Sequence, residues 1–223
     1  MSPGWKGHWY LARQPEFRAT HQELAGVFSV SDKTNNSSAK VAEHDFELAL
    51  ITRVRQGDKP AFEELYRLYF KKLYRFTARV LRDTGHAEDV INETMYVVWN
   101  KAASFDGSCK LSTWIFGIAF NTARKFSVLP LANEITEEER EDTEMERDEH
   151  ASSCALELIE NRELLEFGLK ALSEKQRAVV ELTYYHDFSY KEIADIMQCT
   201  ENTVKTRMFY ARKKLYDTIK QAS

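Results

Sequence analysis

The chain has 223 residues, with 31 Lys and Arg against 35 Asp and Glu for a formal charge of −4, and 43% of its residues are hydrophobic. At roughly 100–200 residues per domain this length allows one or two domains, and the low count of 8 Gly and 4 Pro favours long helices over a turn-rich all-β architecture. The N-terminus lacks a basic stretch followed by an apolar core, and no run of about 18 apolar residues occurs, so neither secretion nor membrane insertion is expected.

Residues 1–44 mix Gly, Pro, isolated aromatics (Trp5, Trp9, Tyr10, Phe17, Phe28) and a Ser-Asp-Lys-Thr-Asn-Asn-Ser-Ser tract. No helical period is sustained there, and the stretch reads as an N-terminal tail. From Asp45 the apolar spacing predicts four helices, over Phe46–Gln56, Pro60–Arg82, Ala87–Ala102 and Thr113–Phe126. Pro60 falls where a first helical turn tolerates it, and Asp83-Thr84-Gly85 breaks the second helix from the third. Residues 128–155 carry Glu134, Glu137, Glu138, Glu139, Glu141, Asp142, Glu144, Glu146, Asp148 and Glu149 against only Arg140 and Arg147. Self-repulsion and a lack of anything to bury should keep this acidic linker extended. Helices resume over Leu156–Leu172, Glu174–Tyr185, Tyr190–Met197 and Glu201–Ile219. Ser173 with Gln176, and Ser189 with Glu192, each place a hydroxyl at the N-cap and a side-chain acceptor three residues on, the reciprocal capping box. The expected fold class is all-α: two small helical domains, 45–127 and 156–223, joined by the acidic flexible linker.

A short helix, the turn Gln198-Cys199-Thr200 and a longer helix from Glu201 have helix-turn-helix spacing. Taking 100° per residue, Met208, Ala211 and Leu215 fall within about 40° of Val204 and form a narrow apolar stripe that docks on Ile193 and Ala194. The opposite side carries Asn202, Lys205, Thr206, Phe209, Tyr210 and Lys213, with Arg207 and Arg212 on the flanks. A solvated face seldom spends Phe and Tyr on water, whereas a major-groove helix needs donors for base edges, apolar contact for thymine methyls and cations for phosphates. The weakly acidic whole-chain charge does not oppose this reading, because DNA responds to charge within a Debye length.

The same projection of the helix Ala87–Ala102 gives a buried face of Ala87, Val90, Thr94, Val97 and Val98. Its other side holds Asp89, Asn92, Glu93, Tyr96 and Trp99, and exposed aromatics beside carboxylates are typical of a protein-binding surface. The loop Phe105–Ser112 and the helix after it are dense in aromatics. Trp114, Phe116 and Phe120 read individually as core, while the segment as a whole suits a single-stranded DNA site.

Catalysis is not expected, since the 6 His residues show no ligand spacing and no Gly-rich phosphate loop or nucleophile motif occurs. Cys109, Cys154 and Cys199 are odd in number and form no Cys-x-x-Cys pair, so no disulfide framework, metal site or cofactor is expected, and a reducing cytoplasm suits them. A helix-turn-helix regulator that acts through its DNA-reading half alone is the competing reading, but it leaves Asp89, Tyr96 and Trp99 without a role.

Several segments stand in a telling order: Leu73-Tyr74-Arg75-Phe76, Ala87-Glu88-Asp89-Val90-Ile91-Asn92-Glu93-Thr94, Thr113-Trp114-Ile115-Phe116, Leu172-Ser173-Glu174-Lys175-Gln176-Arg177, Phe188-Ser189-Tyr190-Lys191-Glu192-Ile193-Ala194 and Thr203-Val204-Lys205-Thr206-Arg207. In this order and spacing, over Phe46–Ile219, the chain resembles bacterial extracytoplasmic-function sigma factors. The resemblance implies a first domain that docks on core RNA polymerase through the helix with Asp89, Asn92 and Glu93, and that opens the minus-10 promoter element with the following loop and helix. There Lys110, Trp114, Asn121, Arg124 and Lys125 are the candidate contacts. It implies minus-35 recognition by the second domain, where Lys205, Thr206, Phe209 and Tyr210 match DNA-facing positions. It also admits an anti-sigma factor as partner. The chain departs from the family's usual basic residues at Asp106, Ser112, Gly117 and Phe120, which puts more of the minus-10 phosphate contact on Arg124 and Lys125, and at Tyr210, which sets its minus-35 preference apart from that of relatives.

Overall fold

The computed structural model describes residues 37–81, 84–128 and 168–222. The acidic linker, most of the N-terminal tail and the first part of the helix expected from Leu156 lie outside the described residues. Among those described, every regular element is helical.

Helix α1 spans Ser37–Arg55 and begins well before the expected Phe46, inside the stretch read as tail. Two contacts hold its early turns against the next helix: Glu43 Oε1 lies 2.8 Å from Lys72 Nζ, and the buried Tyr69 hydroxyl donates to Glu47 Oε1 at 2.7 Å. Helix α2, Lys59–Val80, starts at Asp58, whose side chain accepts from the Ala61 amide, with Pro60 in the first turn. It buries Ala61, Leu65, Tyr69, Leu73, Phe76, Thr77 and Val80, a stripe at the three- and four-residue spacing of one helix face.

Helix α3, Ala87–Lys101, buries Ala87, Val90, Ile91, Thr94, Met95 and Val98. Val97 was expected among them and is only half-buried. The buried face is centred near Thr94 and Val98, so Ile91 and Met95 fall on its inner flank and Val97 on its rim, about 100° from Val98. Helix α4, Leu111–Val128, buries Leu111, Ile115, Phe116, Ala119, Phe120 and Ala123.

In the second half, one helical turn at 168–171 leads to α5, Glu174–Tyr184, then α6, Tyr190–Met197, and α7, Glu201–Ala222. Both expected capping boxes are formed, Ser173 with Gln176 and Ser189 with Glu192.

The two halves share one core within the compact unit Lys40–Ser223, α4 packing on α6 and α2 on α5. Phe116 lies 4.7 Å from the His186 ring and 5.1 Å from Phe188, and Phe76 closes the cluster at 5.3 Å from Phe116. Arg79 Nη1 bonds Glu181 Oε1 at 2.9 Å, and the Glu181 side chain is fully buried. Arg75 and Arg79 both lie over the Tyr185 ring, at 4.4 and 4.5 Å. The buried Arg177 donates to the Leu169 and Leu172 carbonyls in its own half, both at 2.9 Å. It also donates to the Val80 carbonyl at the C-terminus of α2, at 3.2 Å, where a cation meets the negative end of the helix dipole.

Burial pushes the Glu181 carboxyl up to about 7 even with Arg79 beside it. Burial, then the nearby Arg75, Lys72 and Arg79, pushes His186 down to about 4.

Candidate polymerase and nucleic-acid interfaces

The helix-turn-helix is built by local chemistry. Gln198 takes the left-handed conformation (φ 53°) that ends α6, and the Thr200 hydroxyl accepts from the Thr203 amide at 3.1 Å to start α7. Val204, Met208, Ala211 and Leu215 are all buried, as the helical projection required, and this fixes which side α7 turns outward. On that side Asn202, Lys205 and Lys213 are exposed, and Thr206, Phe209 and Tyr210 are half-exposed. Phe209 and Tyr210 meet edge to face at 5.5 Å. Lys205 pairs with Glu201 one turn earlier at 3.0 Å, an exposed pair that phosphate can displace at little cost. The flanking arginines turn back: Arg207 Nη1 reaches Cys199 Sγ at 3.5 Å and Arg212 Nε donates to the Tyr184 hydroxyl at 3.1 Å.

On α3, Asp89 and Glu93 are exposed and Tyr96 is 53% exposed. Trp99, expected to stand exposed, is half-buried with its ring 5.1 Å from Phe62, because α2 supplies an aromatic wall beside it. Asn92 is half-buried and accepts from the Tyr66 hydroxyl at 3.0 Å. That wall lies beyond what a projection of α3 alone can place. Phe62, Tyr66, Phe70 and Tyr74 recur every four residues along α2, with neighbouring rings at 5.6 Å and 6.0 Å for the last two pairs. That spacing puts them on one face, and it was the signal available.

The loop before α4 turns at Gly107 (φ +78°), and the Asp106 carboxylate accepts from the Ser108 amide at 2.9 Å. Lys110 is exposed but paired with Glu192 of α6 at 2.8 Å. Trp114 is half-buried against Phe105 at 5.4 Å, Asn121 is half-buried, and Arg124 and Lys125 are exposed. Trp114, Ile118, Asn121 and Lys125 fall within about 60° of one another, so α4 brings three of the five candidate contacts onto one stripe.

Two family models match the chain, Sigma-70 region 2 over residues 65–127 and Sigma-70, region 4 over residues 162–215. The chain belongs to the extracytoplasmic-function family of RNA polymerase sigma factors. Over 173 residues this sigma factor is 30% identical to the RNA polymerase sigma-H factor of Pseudomonas aeruginosa, covering 74% of this chain and 90% of that one. It is also 30% identical over 189 residues to the ECF RNA polymerase sigma-E factor of Escherichia coli K12, covering 78% and 95%. Among solved structures, CnrH in complex with the cytosolic domain of CnrY shares the fold at a TM-score of 0.58 and 21% identity, over 80% of this chain and 99% of that one. The sigma factor RpoE of Bartonella quintana, crystallised with the anti-sigma factor NepR, matches at a TM-score of 0.51 and 24% identity, over 71% and 96%. The family consists of non-enzymatic transcription initiation factors that direct RNA polymerase to promoters. Among the described residues of this sigma factor no helix is long and apolar enough to cross a membrane, and no cluster of His, Cys, Asp or Glu is placed to hold a metal ion.

Proposed function

We propose that this sigma factor docks on core RNA polymerase through α3, with Asp89, Glu93 and Tyr96 as contacts and Asn92 and Trp99 held in place by Tyr66 and Phe62. In this reading α7 reads the minus-35 element with Asn202, Lys205, Thr206, Phe209, Tyr210 and Lys213, Arg207 reaching it on leaving Cys199. The stripe of Trp114, Asn121 and Lys125, with Lys110 and Arg124, engages the opened minus-10 strand. The domain division is 45–127 for polymerase and minus-10, 128–155 for the linker and 156–223 for minus-35, after the extension 1–44. The protein works in the cytoplasm, adds no catalysis of its own, and is open to restraint by an anti-sigma factor.

The observation that carries this reading is the division of α7. Its apolar stripe is buried against α5 and α6, so a second face that combines exposed lysines with the half-exposed Thr206, Phe209 and Tyr210 is turned outward, and such a mixture suits a DNA groove better than water. The test uses the full chain carrying Asp89→Lys and Glu93→Lys. Affinity for core polymerase is expected to fall at least tenfold while binding to a minus-35 duplex is unchanged. Loss of duplex binding with polymerase affinity intact would refute the division of labour.

A further inference from the structure

We propose that this chain selects adenine and thymine over guanine and cytosine at the centre of its minus-35 element, with Thr206 and the Phe209–Tyr210 pair seated on thymine methyls and Asn202 paired with adenine. This rests on α7 being the minus-35 reader, and it names the class of base that α7 takes.

Position around α7 decides which side chains meet base edges. At 100° per residue, Asn202, Thr206, Phe209 and Lys213 fall within about 60° of one another, on the side opposite the buried Val204. Tyr210 stands about 40° beyond Thr206, and its ring meets that of Phe209 edge to face at 5.5 Å. From Asn202 to Phe209 the helix rises about 10 Å, which matches three base-pair steps of roughly 3.4 Å. Base edges are met by the N-terminal part of a recognition helix, so Asn202, Thr206 and Phe209 face those three steps. Lys213, one turn further on, meets phosphate.

The chemistry of that stripe matches one kind of base pair. An Asn amide takes N6 and N7 of adenine through two hydrogen bonds, and Thr and Phe make apolar contact with the thymine 5-methyl. Asn202 is exposed, and Thr206, Phe209 and Tyr210 are half-exposed. Because the two rings already rest edge to face, the apolar edge they offer needs little ordering when a methyl seats on it.

The groups suited to guanine and cytosine are turned elsewhere. Guanine is taken by a bidentate Arg or by Lys, and both arginines of α7 point back onto the protein. Arg207 donates to Cys199 Sγ at 3.5 Å. Arg212 donates to the Tyr184 hydroxyl at 3.1 Å, its guanidinium lying over that ring at 5.9 Å. Once released from Cys199, Arg207 still lies about 100° round from Thr206, where it meets the DNA backbone. Lys205 stands on the rim, about 60° from Asn202, with its ammonium 3.0 Å from Glu201, and a compact point charge on a flexible stem suits phosphate. The same contact engages Glu201, the carboxylate of α7's first turn suited to accept from the cytosine amino group.

The test is selection of duplexes from a library randomised over about ten base pairs, one helical turn, by the full chain with and without core polymerase. The retained duplexes should share A·T pairs at their central steps. In the tightest of them, replacing a central thymine by deoxyuridine removes only the methyl and should weaken binding about fourfold, the worth of one buried methylene. The same replacement in the flanks should have no effect. Phe209→Ala should abolish the deoxyuridine penalty at one central thymine while keeping the wild-type circular dichroism signal, since Phe209 is half-exposed. Tyr210→Arg, which sets a guanidinium on the groove face, should shift selection toward guanine at its step by about tenfold. Guanine or cytosine at the central steps of the wild-type selection overturns the proposal. So does a central deoxyuridine penalty that is absent, or that is undiminished at every thymine in Phe209→Ala. Selection by Tyr210→Arg identical to wild type overturns the contact assigned to Tyr210. Enrichment of no sequence at all, with or without polymerase, is a different outcome: it refutes α7 as the minus-35 reader, and the base preference falls with it.

Discussion

Replacing Arg79 by Met strips the Glu181 carboxylate of its partner at 2.9 Å while keeping an apolar stem against Tyr185. Removing one member of a buried ion pair costs about 3–5 kcal/mol, and Arg79 is 24% exposed, so water relieves part of this and about 2–3 kcal/mol is expected. The penalty depends on pH in a defined direction. Glu181 has its folded value raised to about 7 from 4.5, so the stability linked to it is complete below about 4.5 and is lost as pH rises through about 7. The Arg79→Met penalty should therefore be small near pH 5 and full at pH 8. Urea denaturation of the full chain at both pH values measures it. The double variant Arg79→Met with Glu181→Leu should recover most of the loss, because an apolar pair of similar volume replaces a buried ion pair without leaving a charge behind. A single variant within about 0.5 kcal/mol of wild type at pH 8, or a double variant no better than the single one, would show that the pair is not a buried element of the junction.

His186 and Glu181 oppose each other in acid. With a folded value near 4 against 6.5, His186 contributes stability above about 6.5 that is lost as pH falls toward 4, so wild-type stability should be nearly flat between about 4.5 and 6.5. His186→Phe fits the ring cluster of Phe76, Phe116 and Phe188 and unmasks Glu181. Its melting temperature should then fall as pH rises from 4.5 to 7, by up to about 3 kcal/mol of stability, and a flat profile would contradict the assignment. Lys205→Ala should weaken binding to a minus-35 duplex and reduce the slope of log affinity against log salt by about one; an unchanged slope measured by anisotropy would remove Lys205 from the phosphate contacts. Ser189→Ala removes the hydroxyl that accepts from the Glu192 amide at 3.4 Å and should lower stability in urea by about 1 kcal/mol, with no change in midpoint counting against the cap.

What could be read from the sequence was what helices encode locally. The capping boxes at Ser173 and Ser189, the bounds Tyr190–Met197 and the buried stripe Val204, Met208, Ala211 and Leu215 all follow from spacing within one or two turns. The start of α1 was hidden because Ser37 and its neighbours look like tail, and its docking depends on Lys72 and Tyr69 more than twenty residues away. Trp99 was placed in solvent because a single-helix projection cannot see Phe62 on the neighbouring helix. The junction between the halves was invisible for the same reason: Arg79 and Glu181 meet across 102 positions, and no local pattern marks a glutamate for burial. Gly117 stands out as a departure from the family's basic residues, and a Cβ there would meet the Ile196 backbone only at ordinary contact distance, 3.7 Å.

The most direct test of the sigma-factor account is transcription in vitro from a promoter library by purified core RNA polymerase, with and without the full chain. Transcripts from a defined subset of promoters, present only with the chain and lost in the Asp89→Lys, Glu93→Lys variant, are the predicted result. The absence of any chain-dependent transcript, with the chain folded and polymerase active with another sigma factor, would contradict it.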